Sequence, residues 1–135
     1  DKIMWQPGWQ YIGDKETVAR IKDKSKETDW IIEGYIPQAA RADLFTVADK
    51  ILYLDYSGSL VAWRYIKRWW KHKKNPRPEL PGSPEKFSWK FLRLVFTKGE
   101  VKELERLIRE NDWDGKIVRL KNPGEAARYL DKYVL

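Results

Sequence analysis

The chain has 135 residues, 42% of them hydrophobic and 35% charged, with 27 Lys and Arg against 20 Asp and Glu for a formal charge of +7. That length and apolar content suit one folded domain and exclude a disordered chain. The absence of cysteine excludes disulfides, thiol catalysis and cysteine-ligated zinc. A single histidine, His72, argues against a histidine metal site or a Ser/His/Asp triad. A reducing cytoplasm suits such a chain, so cytoplasmic placement is the expectation.

The pattern of apolar spacing predicts a helix over 15–26, with Asp14 as its cap and Val18 and Ile21 on its apolar side. Trp30-Ile31-Ile32 is a short continuous apolar run closed by Glu33-Gly34, which predicts a strand buried on both faces. A weakly helical stretch follows around 38–45, and 50–54 reads as a second buried strand ending at Asp55. Ser57 or Ser59 can cap a helix over 59–71, in which Trp63 and Trp70 read as core. Four prolines between 75 and 84 predict an exposed loop or lid. Ser83-Pro84-Glu85 predicts the start of the next helix, with Trp89 again expected in the core. Further helices are expected over 100–110 and from Asn122-Pro123 to Tyr133, with a turn at Asp114-Gly115 and a third strand over 116–120.

Strands alternating with helices imply an α/β fold with a parallel sheet covered on both faces. No apolar run approaches the roughly 20 residues that cross a bilayer. The charge is local. Arg64, Lys67, Arg68, Lys71, Lys73, Lys74 and Arg77 lie in one acid-free stretch, which leaves 20 basic and 20 acidic residues in the rest of the chain. A globally basic coat is thereby excluded. In open parallel sheets, ligands collect beyond the carboxyl ends of the strands. An acid after one strand (Glu33-Gly34), a basic helix after the next (from Asp55) and the polar Lys121-Asn122 after the third suit a polyphosphate with a metal ion.

Taken together, Trp5-Gln6-Pro7-Gly8-Trp9, Trp30 through Tyr35, Ala48 through Asp55, Arg64 with Lys67-Arg68, and Arg77-Pro78-Glu79 with Gly82-Ser83-Pro84-Glu85 resemble the adenylate-kinase-like P-loop proteins labelled DNA topology modulation proteins. The resemblance runs nearly end to end. It implies a three-layer α/β/α P-loop kinase fold, a single partial domain over 1–135 with a lid-like basic segment at about 64–86, and ATP and Mg2+ as cofactors. It implies transfer of the ATP γ-phosphoryl group to a nucleotide or small-molecule acceptor. The family opens on a strand, a G-x-x-x-x-G-K-[ST] loop, a helix and a second strand ending at the position of Asp1. No glycine here begins such a loop, and Gly115-Lys116 is the one Gly-Lys pair. The expectation is therefore a fragment lacking its first strand, P-loop, first helix and most of its second strand, roughly 30 to 40 residues. Such a chain should not turn over ATP by itself, since that loop cradles the phosphates.

Carried over residue by residue, Arg64, Arg68 and Arg77 match lid arginines that close over phosphates, and Asp1 matches a carboxylate addressing the acceptor. Glu33, where the family carries Asp, would place magnesium through water, beside Gly34. Lys121 and Asn122 fall where backbone borders the adenine. Trp5, Trp9 and Arg41 fall on the acceptor side. The simpler alternatives are a solvated basic helix face, a strand-end acid used as a cap, and tryptophans that pack a loop. A basic helix interleaved with Trp69 and Trp70 also leaves open single-stranded nucleic-acid binding, and a non-catalytic interaction domain is a further alternative.

Overall fold

The computed structural model describes residues 3–133. Among them, in chain order, are strands β1 (Trp5–Gln6) and β2 (Gln10–Tyr11), helices α1 (Asp14–Lys24) and α2 (Gln38–Val47), strand β3 (Ile51–Leu54), helices α3 (Gly58–His72), α4 (Trp89–Thr97) and α5 (Val101–Glu110), strand β4 (Ile117–Leu120) and helix α6 (Pro123–Tyr133). The protein is thus mixed α/β, with six helices and two small sheets, one antiparallel and one parallel. Its contacts separate two compact units, the described parts of Asp1–Ala48 with Trp69–Lys86 and of Asp49–Arg68 with Phe87–Leu135.

In the first unit β1 and β2 form an antiparallel hairpin. Its tight connection needs positive φ at Gly8 and Trp9, the first at little cost because glycine has no Cβ. Helix α1 then begins one residue earlier than a capping Asp14 would require. Gly13 is the N-cap, and the Asp14 carboxylate instead accepts a hydrogen bond from the Tyr11 hydroxyl. Thr17, fully buried, returns its hydroxyl to the Gly13 carbonyl at 2.8 Å. The core is built where α1 and α2 meet: Ile21, Ala40 and Leu44 are buried, and Val18, Ile36 and Phe45 pack around them.

The expected strand at Trp30-Ile31-Ile32 is absent. Trp30 and Ile32 lie against the helical core while Ile31 is 87% exposed. The run is extended and one-sided, so its period of two is spent against helices and no neighbouring strand takes up its amides. Glu33-Gly34 is consequently exposed coil and not a strand end.

The proline-rich segment also departs from expectation. It is irregular but not a free lid, because Leu80, Ser83 and Glu85 are buried. The Ser83 hydroxyl accepts the Gly8 amide at 2.7 Å and the Trp9 amide at 3.4 Å, and the Trp9 indole donates to the Pro84 carbonyl at 2.8 Å. Arg77 pairs with Glu85 at 3.0 Å. These bonds clasp the segment to the β1–β2 hairpin. They also explain why the expected helix start at Ser83-Pro84-Glu85 fails: the serine is already engaged, and the Glu85 amide is tied back to the His72 carbonyl. Ser88 caps α4 instead, accepting the Phe91 amide at 3.2 Å.

In the second unit β3 and β4 pair in parallel, with Ile51 opposite Ile117 and Leu54 opposite Leu120. The Asp55 amide extends the ladder to the Leu120 carbonyl at 3.0 Å. Burial on both faces is not achieved: Leu52 and Leu54 are exposed, so β3 alternates in and out. Ile108, Trp113 and Leu120 are buried in this unit. Ser57 caps α3 by accepting the Leu60 amide. Where α3 and α4 meet, a side chain at Gly58 would strike the Phe96 carbonyl, so only glycine fits. Further along, the Tyr65 hydroxyl accepts the Ser88 amide at 2.8 Å and its ring meets Phe91 at 5.0 Å. The start of α3 therefore lies at the end of α4, and the two helices run antiparallel.

The tryptophans expected in the core are not there. Trp63, Trp70 and Trp89 are 62%, 67% and 76% exposed. Helix α4 has no fully buried residue although six of its nine residues are apolar. Ala62 and Tyr65 of α3 make the burial that Trp63 was expected to make.

Candidate functional site

In the second unit the polar carboxyl ends of β3 and β4 are neighbours. Asp55 follows β3 and is paired with Lys98, which sits just beyond α4 in the left-handed conformation. Tyr56 is buried, and the Arg64 guanidinium lies over its ring at 5.7 Å. One turn further along α3, Arg68 lies over the Tyr65 ring, also at 5.7 Å. Both arginine side chains are exposed, oriented by ring faces at their planar surfaces. Lys121 and Asn122 leave β4, but their local polar groups are engaged. Asn122 caps α6 by accepting the Glu125 amide at 2.9 Å, and the Glu125 carboxylate accepts the Lys121 amide at 2.7 Å. This reciprocal cap is the expected start of α6, and it leaves Lys121 with an exposed side chain.

Behind this edge, Arg119 on β4 grips Glu105 of α5 with two bonds of 2.5 and 2.8 Å. The hydrogen bond from Arg119 lowers the Glu105 carboxyl below its usual range. Burial, then the charge of Asp55, push the Tyr53 phenol up. Neither Lys98 nor the Glu105–Arg119 pair was singled out from the sequence. The only available signal was an acid in α5 and an arginine in a strand, which carries no register without the fold.

In the first unit, Trp5 and Trp9 meet edge to face at 5.6 Å, Trp5 also meets Tyr11 at 5.3 Å, and the Arg77 guanidinium lies 5.8 Å over Trp9. The hairpin thus brings Trp5, Trp9 and Arg77 together. Arg77, however, is held by a buried Glu85, which makes it a clasp residue before it is a lid arginine. Arg41 is buried, donates to the Ile36 carbonyl at 2.8 Å and lies over Tyr35, which fixes the entry to α2. Glu33 and Gly34 lie on exposed coil. Asp1 lies outside the described residues. His72 faces the Asn75 carbonyl at 3.1 Å through Nδ1.

Magnesium fits this donor set poorly. Glu33 is solitary, and among the described residues no three His, Asp or Glu side chains converge. The chain likewise contains no glycine-rich cradle for the ATP phosphates. No step through either group follows from these residues. No described helix is long and apolar enough to cross a membrane.

Beside this polar edge, the second unit carries a groove of about 450 Å³ between α3 and α4, lined by Trp63, Ile66, Trp89, Leu92, Arg93 and Phe96. The sequence did not single it out, because helical aromatics at this spacing read as core. No protein-family model, curated protein or solved structure matches the chain.

Proposed function

We propose that the chain is the lid-bearing part of a P-loop nucleotide-kinase-like phosphotransferase with a three-layer α/β/α fold. Its parent binds ATP with Mg2+ and transfers the γ-phosphoryl group to a nucleotide or small-molecule acceptor in the cytoplasm. The observation that supports this reading is the in-register parallel pairing of β3 with β4, which sets Asp55, Lys121 and Asn122 side by side at one edge and leads β3 directly into the basic helix α3. In that reading Arg64 and Arg68, presented on aromatic faces, gather phosphate oxygens through their planar forks of donors. Arg77 shapes the acceptor side with Trp5 and Trp9. ATP and Mg2+ would be held by a glycine-rich loop that these residues do not contain, and would supply the phosphoryl group and neutralise its charge.

The test is phosphoryl transfer from labelled ATP·Mg2+ by the product of the whole reading frame, assayed against nucleoside monophosphates and small hydroxyl acceptors. Transfer that falls at least about a hundredfold in Arg68→Ala, with Arg68→Lys failing to restore it, is the expected result. No transfer together with no nucleotide-dependent rise in melting temperature retires the reading.

One observation favours single-stranded nucleic acid as a second reading: Trp70 is two-thirds exposed, with the Lys73 ammonium 3.7 Å over its ring. Stacking with phosphate contact would give retention of oligo-dT that weakens steeply with salt.

A further inference from the structure

We infer that the groove between α3 and α4 is a docking site for an acidic amphipathic helix of a partner protein. The first support is the groove's construction. The two helices are pinned antiparallel at two points, by the Gly58–Phe96 contact and by the Tyr65–Ser88 hydrogen bond. The channel lies between these two points of contact. Its walls are apolar and open: Trp63, Trp89 and Phe96 are each more than half exposed. Isolated exposed apolar residues are ordinary, whereas a contiguous patch of large ones marks an interaction surface.

The second support is charge, and it selects the occupant. Residues 58–68 and 89–97, from which the groove is built, carry no carboxylate. Arg93 lines the groove, and Lys67 stands one turn from Trp63 on the same side of α3. An apolar floor with a basic rim complements a helix that carries Leu or Phe at i, i+3, i+4 and i+7 and Glu or Asp on its flanks. The same charges disfavour a second copy of this chain, since its own α3–α4 face would set Lys67 and Arg93 against the same two cations. The inference does not rest on the kinase reading, because it uses neither the strand ends nor a phosphate.

The test uses the intact chain and a fluorescein-labelled designed peptide of about four helical turns, with Leu at the four anchor positions and Glu elsewhere. A twin peptide carries Lys for Glu. Fluorescence anisotropy should show saturable binding of the Glu peptide and at least about tenfold weaker binding of the Lys twin. Trp63→Ala and Phe96→Ala should each weaken the Glu peptide about tenfold or more. The pair Lys67→Glu with Arg93→Glu, both at the surface, should reverse the preference toward the Lys twin. Equal binding of the two peptides, absence of binding to either, or binding confined to phosphatidylserine-containing vesicles or to oligo-dT would overturn the inference.

Discussion

The two units solve the same problem differently. In the first, α1 and α2 turn their apolar sides toward each other, and Trp30, Ile32 and Phe45 close the remaining space. In the second, α3 and α4 touch at Gly58 and through Tyr65 and leave Trp63, Trp89 and Phe96 open. The difference lies in the residues at closest approach. Ala40 in α2 is small enough to let α1 come near along its length, so the larger side chains interleave. In α3 the tightest approach is at Gly58, and bulky Trp63 and Trp89 stand exposed along the groove without filling it. A filled interface holds the first unit together, whereas an unfilled one gives the second a surface to offer.

Leu44→Ala should break the first unit's side of that contrast. Leu44 is 5% exposed at the centre of the α1–α2 core, and its truncation should cost about 2–4 kcal/mol in denaturant unfolding. Ser83→Ala probes the clasp between the hairpin and the proline-rich segment. It removes the acceptor of the Gly8 amide and should cost about 1 kcal/mol by the same measurement.

Glu105→Gln sharpens the second unit's side through its pH dependence. The folded carboxyl is held below its ordinary value of 4.5 by Arg119, so the unfolded chain binds more protons there. The pair's stabilisation is full above that value and is lost as pH falls through the lower folded value. Glu105→Gln should flatten the fall in melting temperature below about pH 4.5 while lowering stability near neutrality by only about 1 kcal/mol, since the half-buried pair is still open to solvent. The smallest effect belongs to Trp89→Ala, where a large residue is removed from an exposed position. Its unfolding free energy should change by about 0.5 kcal/mol or less. A loss as large as that of Leu44→Ala would abolish the contrast.

Helices were legible in the sequence wherever an apolar stripe had a real partner. For α1, α5 and α6 the spacing and the Asn122-Pro123 start gave limits that the structure keeps within two residues. The same rule failed for α4, because Ser83-Pro84-Glu85 has the composition of a helix start and only the distant Gly8 and Trp9 amides decide that its hydroxyl is spent elsewhere. Apolar runs revealed burial but not pairing. Trp30-Ile31-Ile32 and Ile51–Leu54 look alike in composition, yet only the second acquires a ladder partner. Of the expected site residues, Arg64 and Arg68 stand where a basic helix after a strand would put them. Arg41 and Arg77 are taken up by a carbonyl and a carboxylate that no local pattern announced.

The parallel pairing of β3 with β4 also has a kinetic side. Ile51 meets Ile117 across 66 positions of sequence, whereas Ile21 and Leu44 are 23 apart. Closing the longer loop costs about 1 kcal/mol more in chain entropy. As the chain leaves the ribosome, the α1–α2 core can therefore assemble early, while β3 waits with an open edge until β4 has been made. For a cell producing this protein, that interval is when β3 is most exposed to wrong partners. Asp55 and Lys50, charges at either end of a four-residue strand, are what shield it until β4 arrives.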